Sequence, residues 1–173
     1  MRPELSKVPK AFHNYVNQVQ ENEVLTAFSN QGKTIFQLLE SIPAEKHDYR
    51  YDTGKWTIRE VLQHIIDAER VFAYRALAFA RKDKTSLPPF DENDYALNSM
   101  ASGRNWSDMV EEFRHLRKAN EIMFQSFSDE QLDTYGTSNN NSISVRALGF
   151  VMVGHATHHA RIVKERYIDS VTA

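Results

Sequence analysis

The sequence predicts an all-α protein, a four-helix bundle with extra short helices in the connections. Two observations lead to this prediction. Long stretches repeat apolar residues with the helical period of about 3.6, and no run of alternating β-branched residues is long enough for a strand. The chain has 173 residues with only 6 glycines and 5 prolines, and no linker-like tract divides it. Residues 1–173 are therefore predicted to form a single helical bundle domain.

The composition argues against several classes of function. The formal net charge is -2 and no block of Lys or Arg stands out, so nucleic acid is not an expected partner. Two basic clusters, 81–84 and 114–118, are interpreted as solvated helix faces. No apolar run reaches the roughly 18 residues of a membrane span, and no signal peptide is evident. The absence of cysteine excludes disulfides and a cysteine nucleophile, and fits a cytoplasmic protein.

A short helix over roughly 10–19 and a long helix from about 22 to 41 are predicted for the first part of the chain. Pro43 follows the end of the long helix, which it cannot continue. The apolar stripe of this helix is expected to face the core: Val24, Leu25, Phe28, Ile35, Leu38, Leu39 and Ile42. The segment that follows, 44–55, is polar and is predicted to be a loop.

The second long helix has a well-marked start. Thr57 and Glu60 form a T-x-x-E capping box, and Trp56 and Val61 are spaced as a hydrophobic staple across it. The helix is predicted to continue to about 83. Its apolar residues recur on one face at positions 61, 65, 68, 72, 76 and 79.

The segment 85–105 breaks the helical pattern with two prolines, and a short helix is predicted to start in it near Asp91. Another long helix is predicted to begin near Ser107, which is suited to cap it. Ser128 and Gln131 form a second capping box, which marks one more helical turn. A polar loop, "YGTSNNNS", then leads to the last helix.

The last helix, predicted over about 144–168, carries two histidines where apolar residues are expected. Its inward seam follows steps of four and three residues: Leu148, Met152, His155, His159 and Ile162. An i, i+4 pair places both imidazoles on one face, near enough to share one ion. Each buried imidazole also needs a polar partner. From this pair alone, a metal site and two hydrogen-bonded core histidines remain alternatives.

His64 supplies a third imidazole. It lies beside the apolar stripe of the second long helix, so its ring can lean into the bundle. Three histidines from two facing helices leave a fourth position open, which is the pattern of catalytic rather than structural zinc. Imidazole suits zinc, nickel, copper and iron alike, so the ligands leave the ion open. With no carboxylate among the ligands, the ion should strongly acidify a bound water or thiol.

Four histidines are interpreted as having no role as ligands: His13, His47, His115 and His158. His158 lies about 100° around the helix from His159 and therefore leaves the inward seam, at the surface or behind the ligands. Other metal motifs are incomplete. H-E-x-x-H is missing, and only Glu112 and His115 have the E-x-x-H spacing of di-iron bundles.

Three segments resemble landmarks of the DinB/YfiT-like metalloprotein superfamily, in the order that the superfamily has them. They are "KWTIREVLQHIIDAER" at 55–70, "LPPFDENDYA" at 87–96 and "GHATHHARIV" at 154–163. In the superfamily, a W-[ST]-x-x-E helix start leads to a first histidine, a Leu-Pro-Pro-Phe-Asp-type loop often follows, and the last helix carries H-x-x-x-H. The resemblance spans roughly 55–165 and implies the same four-helix fold.

By position, the resemblance implies that the metal ligands are His64, His155 and His159. It also implies a divalent metal, most often zinc or nickel, and frequent homodimers. Relatives include bacillithiol- or mycothiol-dependent thiol S-transferases and a mycothiol-dependent maleylpyruvate isomerase, and many others are labelled only as metal-dependent hydrolases. Many members read H-H-R-G-Q at the last histidine, whereas this chain has no such Gly and Gln after Arg161. No substrate role is therefore carried over from that turn.

The sequence predicts a metal-dependent enzyme that acts on a small molecule. The metal would activate a water, as in a hydrolase, or a low-molecular-weight thiol cosubstrate, as in an S-transferase. Glu60 and Asp67 lie one turn either side of His64 and are candidates for acid–base work, although the capping box already uses Glu60 and Asp67 can equally face solvent. The alternative is a non-catalytic metal-binding bundle that serves as a binding or stress-response module. The 85–105 loop could then cover a pocket or contact a second subunit.

Overall fold

Four long helices form the predicted bundle in the computed structural model, which describes residues 1–169. The helices in chain order are α1 (His13–Gln18), α2 (Val24–Ser41), α3 (Ile58–Ala80), α4 (Glu92–Asn98), α5 (Trp106–Gln125), α6 (Asp129–Leu132) and α7 (Val145–Ile162). The long ones are α2, α3, α5 and α7, and a π-helical segment, Val163–Ile168, continues α7. The fold prediction is confirmed, including the short helices in the connections.

Helix α7 lies at the centre of the bundle, where it packs against α1, α2 and α3. Its residues are buried almost without interruption from Val145 to Ala156, as expected for a helix that is apolar on all sides. Helix α5 packs against α2 and α3 and closes the bundle. The apolar stripe predicted for α3 is buried throughout: Val61, Ile65, Ala68, Phe72, Ala76 and Phe79. The buried face of α3 therefore packs against α7.

The capping box at the start of α3 is present as predicted. The Thr57 hydroxyl accepts a hydrogen bond from the Glu60 backbone N–H at 3.1 Å, and the Glu60 carboxylate accepts one from the Thr57 backbone N–H at 2.7 Å. Ser128 and Gln131 form the second box at the start of α6. Because both boxes are local to the sequence, they determine where these helices begin without help from distant residues.

The predicted cap of α5 and one position of the α2 stripe are wrong. The cap of α5 is Asn105, whose side-chain oxygen accepts hydrogen bonds from the backbone N–H groups of Ser107 and Asp108. Ser107 already lies inside the first turn, because the helix begins at Trp106. Leu25 is 40% exposed, since it lies on the outer face of α2.

The segment predicted as a polar loop before α7 is a β-hairpin. Its strands are β1 (Tyr135–Ser138) and β2 (Asn141–Ser144), and they pair antiparallel. Asn139 and Asn140 form the two-residue turn with φ of 47° and 58°, the left-handed conformation that asparagine tolerates in such turns. The parallel bridge between Leu87 and Ser138 joins this hairpin to the proline-rich loop, residues 85–105. The loop and the hairpin therefore form one wall beside α3.

The basic cluster at 114–118 is not a purely solvated face, because Arg117 is buried. Its guanidinium donates to both carboxylate oxygens of Glu69 on α3, at 2.8 and 2.6 Å. It also donates to Gln31 on α2 at 2.7 Å, and Asn120 donates to Glu69 at 3.0 Å. The charged pair thus links three helices in the core. Position 117 lies on the inward face of α5, so burial of an arginine there requires these partners.

His47 also differs from its predicted polar surroundings. Its ring is buried and stacks on Trp106, with 4.2 Å between the ring centroids and an interplanar angle of 19°. Its Nε2 lies 3.2 Å from the carbonyl oxygen of Ile42. The interpretation of His47 as a structural residue therefore agrees with its contacts, although its environment is apolar.

Helix α1 approaches α7 closely at one glycine. A Cβ atom on Gly154 would lie 1.9 Å from the backbone oxygen of Tyr15. The absence of a side chain at Gly154 therefore lets α1 lie against α7 and brings the ring of Tyr15 next to the neighbouring His155.

Among the described residues, no helix combines the length and apolar character needed to cross a bilayer. The assignment of 1–173 to one domain stays a prediction, and residues 170–173 lie outside the described part.

Candidate metal centre

Three imidazoles converge between α3 and α7. The Nε2 atom of His64 lies 3.0 Å from the Nε2 atom of His155 and 3.2 Å from that of His159. One ring nitrogen from each of the three histidines falls within 4.8 Å of the others. His64 and His155 are buried, and His159 is partly buried. The fold thus brings together the three histidines that the sequence analysis singled out, although 91 residues separate His64 from His155.

Aromatic side chains surround the cluster. The Trp56 ring lies 4.8 Å from the ring of His64, centroid to centroid. Tyr15 and Phe72 meet the ring of His155 edge-on, at 5.2 and 5.7 Å. These contacts hold the imidazole rings in place. The ring positions are therefore set by packing and not only by contacts among the histidines.

The geometry and chemistry of the cluster fit a transition metal. Nitrogen ligands about 2.0–2.1 Å from a tetrahedral zinc ion lie roughly 3.3 Å apart, close to the two Nε2 separations measured here. Among the described residues, no Asp or Glu joins the cluster. Within the same residues, the Nε2 atoms of these histidines make polar contacts only with one another. A three-nitrogen donor set suits zinc, nickel, copper or iron(II) and does not choose among them.

Burial keeps the three imidazoles neutral. It lowers the pKa of His64 to about 4 and the pKa of His159 to about 3, the latter with a smaller contribution from the neighbouring histidines. For His155, burial and then the charges of His159 and His64 hold the pKa well below its usual value. Neutral imidazole is the form that binds metal, so these ligands are ready at neutral pH without losing a proton.

The metal-free protein is therefore expected to lose stability as the pH falls from about 6.5 towards 4. In that window the unfolded chain binds protons that the folded chain does not, so the free energy of unfolding rises with pH and falls on acidification. Each such histidine contributes about 1.4 kcal/mol per pH unit. Urea unfolding of chelator-treated protein at pH 7 and pH 5 measures the effect. The free energy of unfolding should depend less steeply on pH in His64→Leu. An unchanged pH dependence in that variant would contradict the assignment of His64 as a neutral buried imidazole.

A pocket of about 380 Å³ opens beside the cluster. Its lining combines the three histidines with residues from the start of α1 and just before it, from α3 and just before it, from the 85–105 loop and from the hairpin. These residues include Phe12, Tyr15, Trp56, Phe72, Arg75, Pro89, Phe90, Glu92, Ser138, Asn139 and Asn141. Residues of the 85–105 loop thus contribute to the wall of this pocket. The contribution of the hairpin residues to this lining was not predicted from the sequence. The Asn-Asn pair, a turn-forming dipeptide, was the available signal.

The two candidate carboxylates lie outside this cluster. Glu60 is held by the capping box and lies 3.9 Å from the guanidinium of Arg50. Asp67 accepts a hydrogen bond from Gln63 at 2.9 Å, and its burial raises the pKa of its carboxyl group. Neither residue lines the pocket beside the histidines. An acid–base role for Glu60 or Asp67 would require a contact with the pocket beside the histidines, and this structure does not contain one.

His158 lies next to the cluster but outside it. Its ring is partly buried and lies 5.6 Å from Tyr15 and 5.2 Å from His159, centroid to centroid. Its Nδ1 atom is buried and has no hydrogen-bond partner among the described residues. Helix geometry therefore separates His158 from its two neighbours in sequence, as the spacing predicts.

Two kinds of comparison with known proteins identify the family and the fold of this chain. A family model described as the DinB superfamily matches residues 27–163. The structure is similar to YfiT from Bacillus subtilis, described as a probable metal-dependent hydrolase with an unusual four-helix bundle topology. The TM-score is 0.72 at 16% identity, over 95% of this chain and 90% of YfiT. No curated protein sequence matches the chain.

A second similar structure is a mycothiol-dependent maleylpyruvate isomerase. The TM-score is 0.66 at 12% identity, over 80% of this chain and 58% of the isomerase. This chain therefore spans less than two thirds of that protein. At such low identities, both similarities show the fold alone.

Proposed function

The chain belongs to the DinB superfamily, and on that premise we propose that it is a metal-dependent enzyme whose ion is held by His64, His155 and His159. The convergence of three neutral Nε2 atoms beside a pocket carries this proposal. Three protein ligands leave a coordination position for a water or a substrate, as catalytic zinc sites do. Zinc or nickel is the ion we propose.

The bound ion would lower the pKa of a water or a thiol so that it attacks an electrophilic substrate. The chain's own residues prepare the site for this chemistry. Trp56, Tyr15 and Phe72 pack against the imidazole rings and orient them. The neutral imidazoles add no negative charge, so the ion would keep its full charge.

Hydrolysis of a small ester or amide is the leading reaction. It is supported by the fold shared with YfiT, which is described as a probable metal-dependent hydrolase. Transfer of an external thiol is the second candidate. The similarity to a mycothiol-dependent isomerase favours it, and so does the absence of cysteine from this chain, since the thiol would have to come from outside.

Metal analysis of untagged protein, followed by activity screening, tests the proposal. One equivalent of a transition metal is expected, and a chelator should lower the melting temperature. Esters and anilides are then assayed with and without glutathione, bacillithiol and mycothiol. Cleavage without thiol consumption identifies a hydrolase, and thiol consumption identifies a transferase. Protein that binds metal but turns over none of these substrates would favour the non-catalytic binding module. Protein that binds no metal would refute both readings.

A homodimer is also proposed. Exposed apolar side chains occur near the end of α3 and around α4, where these helices contact each other: Tyr74, Leu77, Tyr95, Leu97 and Met100. Their exposure supports a contact with a second copy. Analytical ultracentrifugation measures the mass, and a monomer at micromolar concentration would contradict this part of the proposal.

A further inference from the structure

Arg75 is unusual among the buried arginines of the described chain. Three arginines are buried there, Arg59, Arg75 and Arg117. Arg59 pairs with Asp48 at 2.8 Å, and Arg117 pairs with Glu69 at 2.6 Å. Arg75 is only 5% exposed, yet within residues 1–169 it forms no ion pair. A buried cation without an anion is energetically costly, so this position requires an explanation.

The guanidinium of Arg75 is held in place but is not saturated. Nη2 donates to the carbonyl oxygen of Pro88 at 2.9 Å, and the guanidinium carbon lies 5.9 Å from the centre of the Phe90 ring. These contacts tie α3 to the proline-rich loop. The other two guanidinium nitrogens, Nε and Nη1, form no hydrogen bond within the described residues. Neither of them is completely buried. Arg75 lines the pocket, so these donors are reached from the pocket.

The surroundings of Arg75 favour an anion over a cation. The three histidines lie at the other end of the pocket, and no carboxylate joins them among the described residues. The hairpin adds neutral hydrogen-bonding side chains, those of Ser138, Asn139 and Asn141. Glu92 also lines the pocket, but it is exposed in the first turn of α4 and forms no ion pair with Arg75. Arg75 is therefore the one buried side chain of this lining that carries a permanent charge.

We propose that Arg75 binds the carboxylate of an elongated organic acid whose reactive bond lies at the histidine end of the pocket. The planar guanidinium offers a carboxylate two parallel hydrogen bonds. Arg75 and His64 are eleven residues apart on α3, roughly 16 Å along the helix axis, so the two groups of the substrate must be well separated. This inference rests on the proposed function for the reactive end, but it assigns the substrate class from a separate residue.

Calorimetric titration with octanoate and its neutral analogue octanamide tests the proposal without requiring turnover. Both are titrated into chelator-treated and metal-loaded protein. Octanoate is expected to bind at least about 10-fold more tightly than octanamide in both forms, because a hydrogen bond to a charged group contributes more than a neutral one. Arg75→Met should remove this preference, and Arg75→Lys should retain part of it.

Arg81→Met is the matched control, because Arg81 is an exposed arginine at the end of the same helix and lies outside the pocket. It should keep the full preference for octanoate. Circular dichroism checks that each variant is folded, and Arg75→Lys keeps the test decisive if Arg75→Met does not fold. Equal binding of the two probes, no octanoate binding at millimolar concentration, or a preference that survives in both Arg75 variants would overturn the proposal.

Glutathione separates the two sources of a carboxylate. If glutathione binds in an Arg75-dependent manner and octanoate does not, the proposed carboxylate of the electrophile is overturned, and Arg75 instead binds the carboxylate of a thiol cosubstrate. An Arg75-dependent preference in protein that never binds metal would support this inference while refuting the proposed metal-dependent activity. The two failures are therefore distinguishable.

Discussion

His155→Ala is expected to abolish stoichiometric metal binding while the bundle stays folded. His155 is the buried member of the α7 pair, and its Nε2 lies 3.0 Å from that of His64. Changes to residues that merely orient a ligand already weaken metal affinity by about 10–100-fold, so loss of a ligand should cost more than about 100-fold. Elemental analysis and a chromophoric chelator competition measure the content and the affinity. Any metal-dependent turnover should fall with the metal content.

His158→Ala is the matched control for that experiment. It removes an imidazole from the same turn of α7, but one whose ring lies outside the converging cluster. This variant should retain about one equivalent of metal. If both variants lose the metal equally, the cluster assignment is wrong. If His155→Ala retains it, the three histidines are not the ligands.

Arg117→Met is expected to destabilise the protein by about 3–5 kcal/mol, because it leaves the carboxylate of Glu69 buried without its cation. Both side chains are only 2% exposed, and the pair joins α3 to α5. The same arginine lies over the rings of Phe28 and Phe113, at 5.1 and 5.2 Å from their centres. Urea unfolding monitored by circular dichroism measures the change in the free energy of unfolding.

The double variant Arg117→Met with Glu69→Gln separates charge from packing. It removes both charges and keeps an amide oxygen for the hydrogen bond from Asn120. Most of the lost stability should return, since replacing a whole buried pair is far less harmful than removing one partner. Lys118→Met, a change at the exposed neighbouring position, should alter stability by less than about 1 kcal/mol. If Arg117→Met alone is as stable as the wild type, the result contradicts the burial of Arg117.

Features that depend on neighbouring residues were predicted well, apart from the cap of α5. The capping boxes at Thr57 and Ser128 involve residues three positions apart, and both are present. The i, i+4 spacing of His155 and His159 was enough to place both rings on one face of α7 and to turn His158 away. These predictions succeed because helix geometry is the same in every helix, whatever surrounds it.

Features that depend on a partner elsewhere in the chain were missed. Arg117 was assigned to a solvated face because arginine is rarely buried, and only Glu69 on another helix makes its burial possible. The sequence predicts a loop at the hairpin because its residues are polar and its strands are short. A Cβ atom on Gly136 would lie 2.0 Å from the Phe79 ring, so this strand is packed directly against α3.

The sequence by itself determined the four-helix fold, the starts of α3 and α6 and the three candidate histidines, because these follow from periodicity and local hydrogen bonding. Only the tertiary structure decided that the histidine nitrogens meet within about one ion's coordination shell, since that depends on how α3 packs against α7. It alone also placed an unpaired buried arginine in the same pocket. The physical reason is that burial and charge pairing are properties of distant contacts, which residue spacing within one helix does not encode.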